Sequence, residues 1–249
     1  MKIKQTATAI LITLLCLASI PACAEGRGFG RQQLNTTGTV VSLIDSLPFE
    51  YLDEEEILAL LHMYEEEKVA RDVYSTLFGI WGHWVFEHIA MSEQKHMDAV
   101  GDLLARYEIA LPENAVISNV FESAEMQNLY NVLVEQGRMS LVDTLLVGAT
   151  IEDLDIYDLQ EYVELTDNED IQTVYQNLLR GSRNHMRSFI YQLTLNDITY
   201  TPQYLTQEEF GDIISTERER GLISGDNFQA IQSHLNNKAN NPRKQRLFD

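Results

Sequence analysis

Cysteine is nearly absent from this chain. Its two copies, Cys16 and Cys23, both fall within the first 24 of 249 residues, so the remainder can form no internal disulfide and no Cys-x-x-Cys metal site. Basic residues are scarce as well: 18 Lys and Arg stand against 38 Asp and Glu, a formal charge of −20. A surface this acidic repels nucleic acid and anionic membrane and gathers cations around it. Also missing are a phosphate-binding glycine loop, a nucleophile elbow and a basic recognition helix, which removes the commonest routes to nucleotide, hydrolase and nucleic-acid chemistry.

The N-terminus reads as an address. Lys2 and Lys4, the mostly apolar run from Ala9 to Ile20 and the small residues Ala22-Cys23-Ala24 together predict a secretory signal over residues 1–24 and a secreted or periplasmic protein. The run is too short to span a bilayer. Ile20-Pro21-Ala22-Cys23 loosely resembles a bacterial lipoprotein box, which makes lipid anchoring through Cys23 the alternative, although Pro21 is unusual there. Without Lys2 and Lys4 the charge becomes 16 less 38, or −22.

Beyond the signal, residues 25–48 carry Gly26, Gly28 and Gly30 without a sustained period and read as a flexible linker. Residues 49–196 hold four long helical patterns, predicting an all-α domain. Ile57, Leu60, Tyr64, Glu67, Arg71, Tyr74 and Phe78 step by threes and fours, as do Phe86, Ile89, Glu93, His96, Val100, Leu103 and Tyr107. Leu141, Leu145, Gly148, Glu152, Asp155, Leu159 and Tyr162 form the third stripe, and Ile171, Val174, Leu178, Ser182, His185 and Phe189 the fourth. Asp53, Ser140 and Asn168 are expected to cap the first, third and fourth helices, while Gly79 and Gly82 are expected to end the first. Trp81 and Trp84 are expected to anchor the first hairpin turn by burial. A long connection containing a helical piece from Ala124 to Gln136 separates the second and third helices. Residues 197–236 repeat a small capped-helix pattern and predict an appended helical hairpin, and the basic stretch 237–249 predicts a disordered tail.

Each stripe is broken near its middle by a polar residue, roughly 15 Å from the helix ends at about 1.5 Å of rise per residue. Antiparallel packing would bring these breaks to one level. Glu93 and His96, three apart, can reach a common point, and Glu67, Glu152 and His185 would meet them there, with Asp155 a further ligand. The alternative is a buried polar network neutralised by Arg71, Arg183 and tyrosine hydroxyls. Metal is favoured, because several carboxylates crowded into a low-dielectric interior repel one another unless some stay protonated. Tyr64 or Tyr74 could donate a supporting hydrogen bond. His62, His83, His88 and His234 fall off the shared level and are assigned to surface or helix-end roles.

These residues resemble a known family. Glu67-x-x-Ala70-Arg71-x-x-Tyr74 looks like the first-helix pattern of rubrerythrins, Glu93-x-x-His96 like their second-helix motif, and Glu152-x-x-Asp155 is similar to their third-helix Glu-x-x-Glu. More closely, the chain from about Glu54 to Leu193 resembles the ferritin-like family known as domain of unknown function 2202. The resemblance implies a ferritin-like antiparallel four-helix bundle with its long crossover between helices two and three. It also implies a metal site. The match departs at Ser182, which stands where a full di-iron pattern has the glutamate of its second Glu-x-x-His, and the chain has no cysteine-ligated electron-transfer module.

The expected function is therefore binding of one or two iron or manganese ions by Glu67, Glu93, His96, Glu152, Asp155 and His185, with oxygen- or peroxide-linked redox activity. The alternative is a metal-sequestering or protein-interaction module without turnover. The expected partners are metal ions, an external electron donor and, for the chain itself, a second copy in a homodimer. Nucleic acid is not among them.

Overall fold

The computed structural model describes residues 43–223, and every regular element in that span is helical. Six helices follow in order: α1 (Glu54–Trp81), α2 (Trp84–Arg106), α3 (Ala124–Gly137), α4 (Leu141–Leu165), α5 (Glu169–Thr194) and α6 (Gln207–Ser215). The expected signal segment, most of the linker, the second helix of the C-terminal hairpin and the basic tail lie outside the described residues.

Local chemistry sets the ends. Asp53 accepts from the Glu56 amide while the Glu56 side chain accepts from the Asp53 amide, both at 2.9 Å, and three glutamates sit in the first turn where the helix dipole favours them. α1 runs through Gly79 and stops at Gly82, whose φ of 62° is the left-handed conformation glycine adopts without penalty. Gly79 therefore plays no part in ending it. His83 caps α2 through its ring nitrogen, Ser140 caps α4, and Thr206 with Glu209 forms a reciprocal capping box on α6. Asn168 precedes α5 without a side-chain cap bond. The two tryptophans are not buried as expected: Trp84 is 53% exposed and Trp81 36%, and Trp81 instead anchors the turn by donating to the Gly137 carbonyl at 2.9 Å.

The four long helices form a closed cycle of contacts. α1 packs on α2, α2 on α5, α5 on α4 and α4 on α1. Two-residue and three-residue links join α1 to α2 and α4 to α5, which makes each of those pairs a hairpin. Between the hairpins lie Leu60, Val73, Tyr74, Phe86, Leu103, Leu145 and Phe189, all fully buried. Each contributes about 1.5–3 kcal/mol by leaving water.

α1 departs from a simple apolar stripe, because Glu56, Glu65, Glu66, Glu67, Lys68 and Asp72 are buried along with its aliphatic residues. Part of this charge fastens the connection from α2 to α4. Lys68, 1% exposed, donates to Asp72 and to the Val120 carbonyl at 2.8 Å and lies 4.0 Å over the Phe121 ring. Asp72 accepts from the Asn119 amide, and Glu65 accepts from the amides of Glu122 and Ser123. On α4, Asp153 gathers the segment after α5, accepting from Tyr200 Oη, Leu205 N and neighbouring amides. No helix among the described residues is long and apolar enough to cross a membrane.

Candidate metal centre

The structure brings five of the six expected residues to two adjoining points. Glu67 Oε2 and Glu93 Oε2 lie 3.4 and 2.6 Å from His96 Nδ1, and Glu93 Oε1 and Glu152 Oε2 lie 2.8 and 3.5 Å from His185 Nδ1. In the first triad, Glu67, Glu93 and His96, the candidate ligand atoms are all within 4.8 Å of one another, and the same holds for the second, Glu93, Glu152 and His185. Glu93 belongs to both. It offers one oxygen to each, which is how a carboxylate bridges two cations.

These are close approaches without hydrogen bonds. Both oxygens of Glu67, both of Glu93, Glu152 Oε2 and the Nδ1 atoms of His96 and His185 are buried with no hydrogen-bond partner. Native interiors rarely leave so many polar atoms unmatched in one place. The atoms face one another around two shared points, the disposition that a set of ligands would have. Three carboxylates and two imidazoles are donors suited to iron, manganese and similar first-row ions, so the residues present fit such a group.

Electrostatics agree with the geometry. Burial, with the nearby Glu93 charge, pushes Glu67 up to about 8 against the pull of His96. Burial also raises Glu152 to about 6 despite His185. At Glu93 burial acts upward too, but the imidazoles of His185 and His96 on either side outweigh it and hold the carboxyl well below its usual range. His185 shows the converse: burial alone would lower it, and Glu93 with Glu152 raises it to about 9. These shifts leave protons on Glu67 and His185 near neutral pH.

Asp155 is the sixth expected residue, and it stands outside both triads. Its Oδ2 accepts from Ser182 Oγ at 2.8 Å, so the serine of α5 is paired with a carboxyl of α4. Burial together with Glu67, Glu152 and Glu93 raises Asp155 well above the ordinary range. Of the two tyrosines considered, Tyr74 is the supporting donor, but to Glu152 rather than Glu67, with Oη 2.6 Å from Oε1. Tyr64 packs instead against Gly101. The arginines that the alternative reading assigned to neutralise the carboxylates have other partners: Arg71 pairs with Asp72 and Gln94, and Arg183 with Glu219. His83 caps α2, His88 lies edge-on to Trp84, and His234 is outside the described residues.

One contributor had no motif to announce it. A side-chain carbon at Gly181 would collide with Nε2 and Cε1 of His96, so α5 admits the imidazole only because position 181 is bare. A glycine inside a helix, where it is unfavourable by about 1 kcal/mol relative to alanine, is the signal that could have found it.

Residues 56–217 match a family described as an uncharacterized protein domain, DUF2202. The chain belongs to this family. All six expected ligands fall within the matched span. A relative, the uncharacterized protein MJ0754 of Methanocaldococcus jannaschii, is 51% identical over 183 residues, which is 74% of this chain and 99% of the relative. A solved structure, described as the crystal structure of hypothetical protein MJ0754, is similar at 52% identity with a TM-score of 0.68, covering 70% of this chain and 99% of that one.

Proposed function

We propose that the four long helices form a ferritin-like antiparallel bundle that binds iron or manganese at the two triads, with Glu93 bridging. The closed cycle of helix contacts and the long α2 to α4 connection support the architecture. The observation that carries the metal reading is the set of seven buried, unpartnered carboxylate and imidazole atoms described above. If Glu67, Glu93, Glu152 and Asp155 are all ionised, two divalent cations balance their charge with both imidazoles neutral.

A bound iron or manganese ion supplies electron-transfer chemistry toward dioxygen or peroxide. The protein's part is to hold the ligands, keep bulk water away from Glu67, Glu93 and Glu152, and fix the Glu152 carboxylate through Tyr74. Electrons for repeated turnover come from a separate donor. A second reading, sequestration without turnover, is favoured by one observation: α5 supplies a single ligand, His185, since Ser182 is engaged with Asp155.

Reconstitution with ferrous iron or manganese under anaerobic conditions, followed by elemental analysis, tests the proposal. Up to two ions per chain are expected, and none with Glu93→Gln. A parent protein that retains no first-row metal refutes the reading. Oxygen or peroxide consumption by the ferrous form separates the redox reading from sequestration.

A further inference from the structure

A row of aromatic rings leads from the surface to Glu152. Trp84 opens α2 with 53% of its surface in solvent, and its ring stacks on that of His83 at 6.0 Å between centroids. The His83 ring stands edge-on to Phe86, also at 6.0 Å. Phe86 lies 6.1 Å from Tyr74 and 5.5 Å from Phe189, which is itself 5.4 Å from Tyr74. These last three rings are fully buried, and every step of the row has the spacing of rings in contact. A side-chain carbon at Gly148 on α4 would fall within 2.6 Å of three Phe189 ring atoms, so the cluster closes only because that position is bare. The row ends at Tyr74 Oη, 2.6 Å from Glu152 Oε1, while Glu152 Oε2 faces His185 in the second triad. Packing accounts for the phenyl rings. It does not account for the two ends, an oxidisable indole left in solvent and an oxidisable phenol bonded to a candidate ligand.

We propose that this row is the electron path of the centre: a soluble one-electron carrier gives its electron at Trp84, and the electron reaches the triads by way of His83, Phe86 and Tyr74. The inference rests on the redox form of the metal reading. Burial supports it, because Glu67, Glu93 and Glu152 are at most 1% exposed and a carrier cannot touch these carboxylates directly. Trp84 and Tyr74 are the members that change oxidation state, and the rings of His83 and Phe86 bridge the gap between them. When Tyr74 gives one electron to an oxidised iron or manganese ion, its phenolic proton passes to Glu152 Oε1, the nearest acceptor; the Gly148 carbonyl is further, at 3.3 Å, and a far weaker base. Trp84 then returns one electron to the Tyr74 radical, which recovers its proton from Glu152, and the reduced carrier restores Trp84. The net change is one electron moved from carrier to metal ion, with no proton gained or lost by these residues.

The test uses the full chain and needs no metal. With EDTA present, the protein is oxidised by azide radicals in pulse radiolysis at neutral pH, where they attack tryptophan in preference to tyrosine. In the parent, the absorption of a tryptophanyl radical is expected to decay as that of a tyrosyl radical grows, at a rate independent of protein concentration. Trp84→Phe and Tyr74→Phe are each expected to lose that growth; in the first, the radical formed on Trp81 stays on tryptophan. Trp84 is exposed and tolerates replacement, so its variant guards against misfolding of the other. No transfer in the parent, or undiminished transfer in either variant, overturns the electron path and leaves the metal reading standing. A parent that shows the transfer but retains no first-row metal on elemental analysis overturns the metal reading, and the path, with no centre to serve, falls with it.

Discussion

Tyr74 on α1 donates its hydroxyl proton to Glu152 on α4 at 2.6 Å, tying together two helices that each supply a carboxylate to the candidate centre. The tyrosine is fully buried, and burial with the adjacent Glu152 and Glu93 charges keeps its proton in place. Replacing it with phenylalanine strands Glu152 Oε1. Tyr74→Phe is expected to destabilise the metal-free protein by about 1–3 kcal/mol, measured by urea unfolding. Metal affinity should fall about 10- to 100-fold in calorimetric titration.

Gly181→Ala places a methyl group against the His96 ring. Because His96 serves one triad and His185 the other, the damage should be one-sided. Bound metal is expected to fall from two ions to one per chain by elemental analysis, with the Glu93, Glu152 and His185 position retained. Loss of both ions, or of neither, would show that the ring has another way to sit.

Metal should stabilise the fold as any ligand of the native state does. At a free concentration about a hundredfold above Kd the gain is about 2.7 kcal/mol per site, visible as a rise in Tm. Chelation with EDTA should reverse it. Glu93→Gln removes the shared ligand, so its Tm is expected to ignore added manganese.

The metal-free protein should weaken as pH rises. Glu67 titrates near 8 in the folded state against 4.5 for an ordinary glutamate, so between those values the native state holds a proton that the unfolded chain releases, and stability falls. His185 contributes stabilisation that is complete below 6.5 and is lost as pH climbs through about 9. Both act in the same direction from 6.5 to about 8. Urea midpoints measured with EDTA across that window are expected to decline at constant m-value. A flat or rising midpoint would mean the buried groups are not protonated as described.

Much of this was legible in the residues before any coordinates. The threes-and-fours stepping identifies the inward faces of four helices, and the polar breaks in those faces name the five residues that meet in the triads. Capping chemistry at Asp53, Ser140 and Thr206 marks helix starts, because those bonds are made within four residues and leave a local trace. Contacts between distant segments leave none. Tyr74 reaches Glu152 across 78 positions, and nothing near either residue announces it. Arg71 shares a stripe with Glu67, yet its guanidinium turns to Asp72 next to it and to Gln94 on α2, since a long flexible side chain is not bound by the direction of its Cβ. His62 stands off the level of the triads, as its spacing indicates, but only the approach of α4 reveals that Tyr162 faces it.

The Lys68 clamp has a consequence for how the protein meets its surroundings. Residues 107–123 contain turns and no helix, the kind of chain that proteases open first. Yet Lys68, Asp72 and Glu65 hold the backbone of this segment at Asn119, Val120, Glu122 and Ser123 from beneath. The longest connection among the described residues is thus guarded by a buried lysine, and limited digestion should leave it intact until α1 itself gives way.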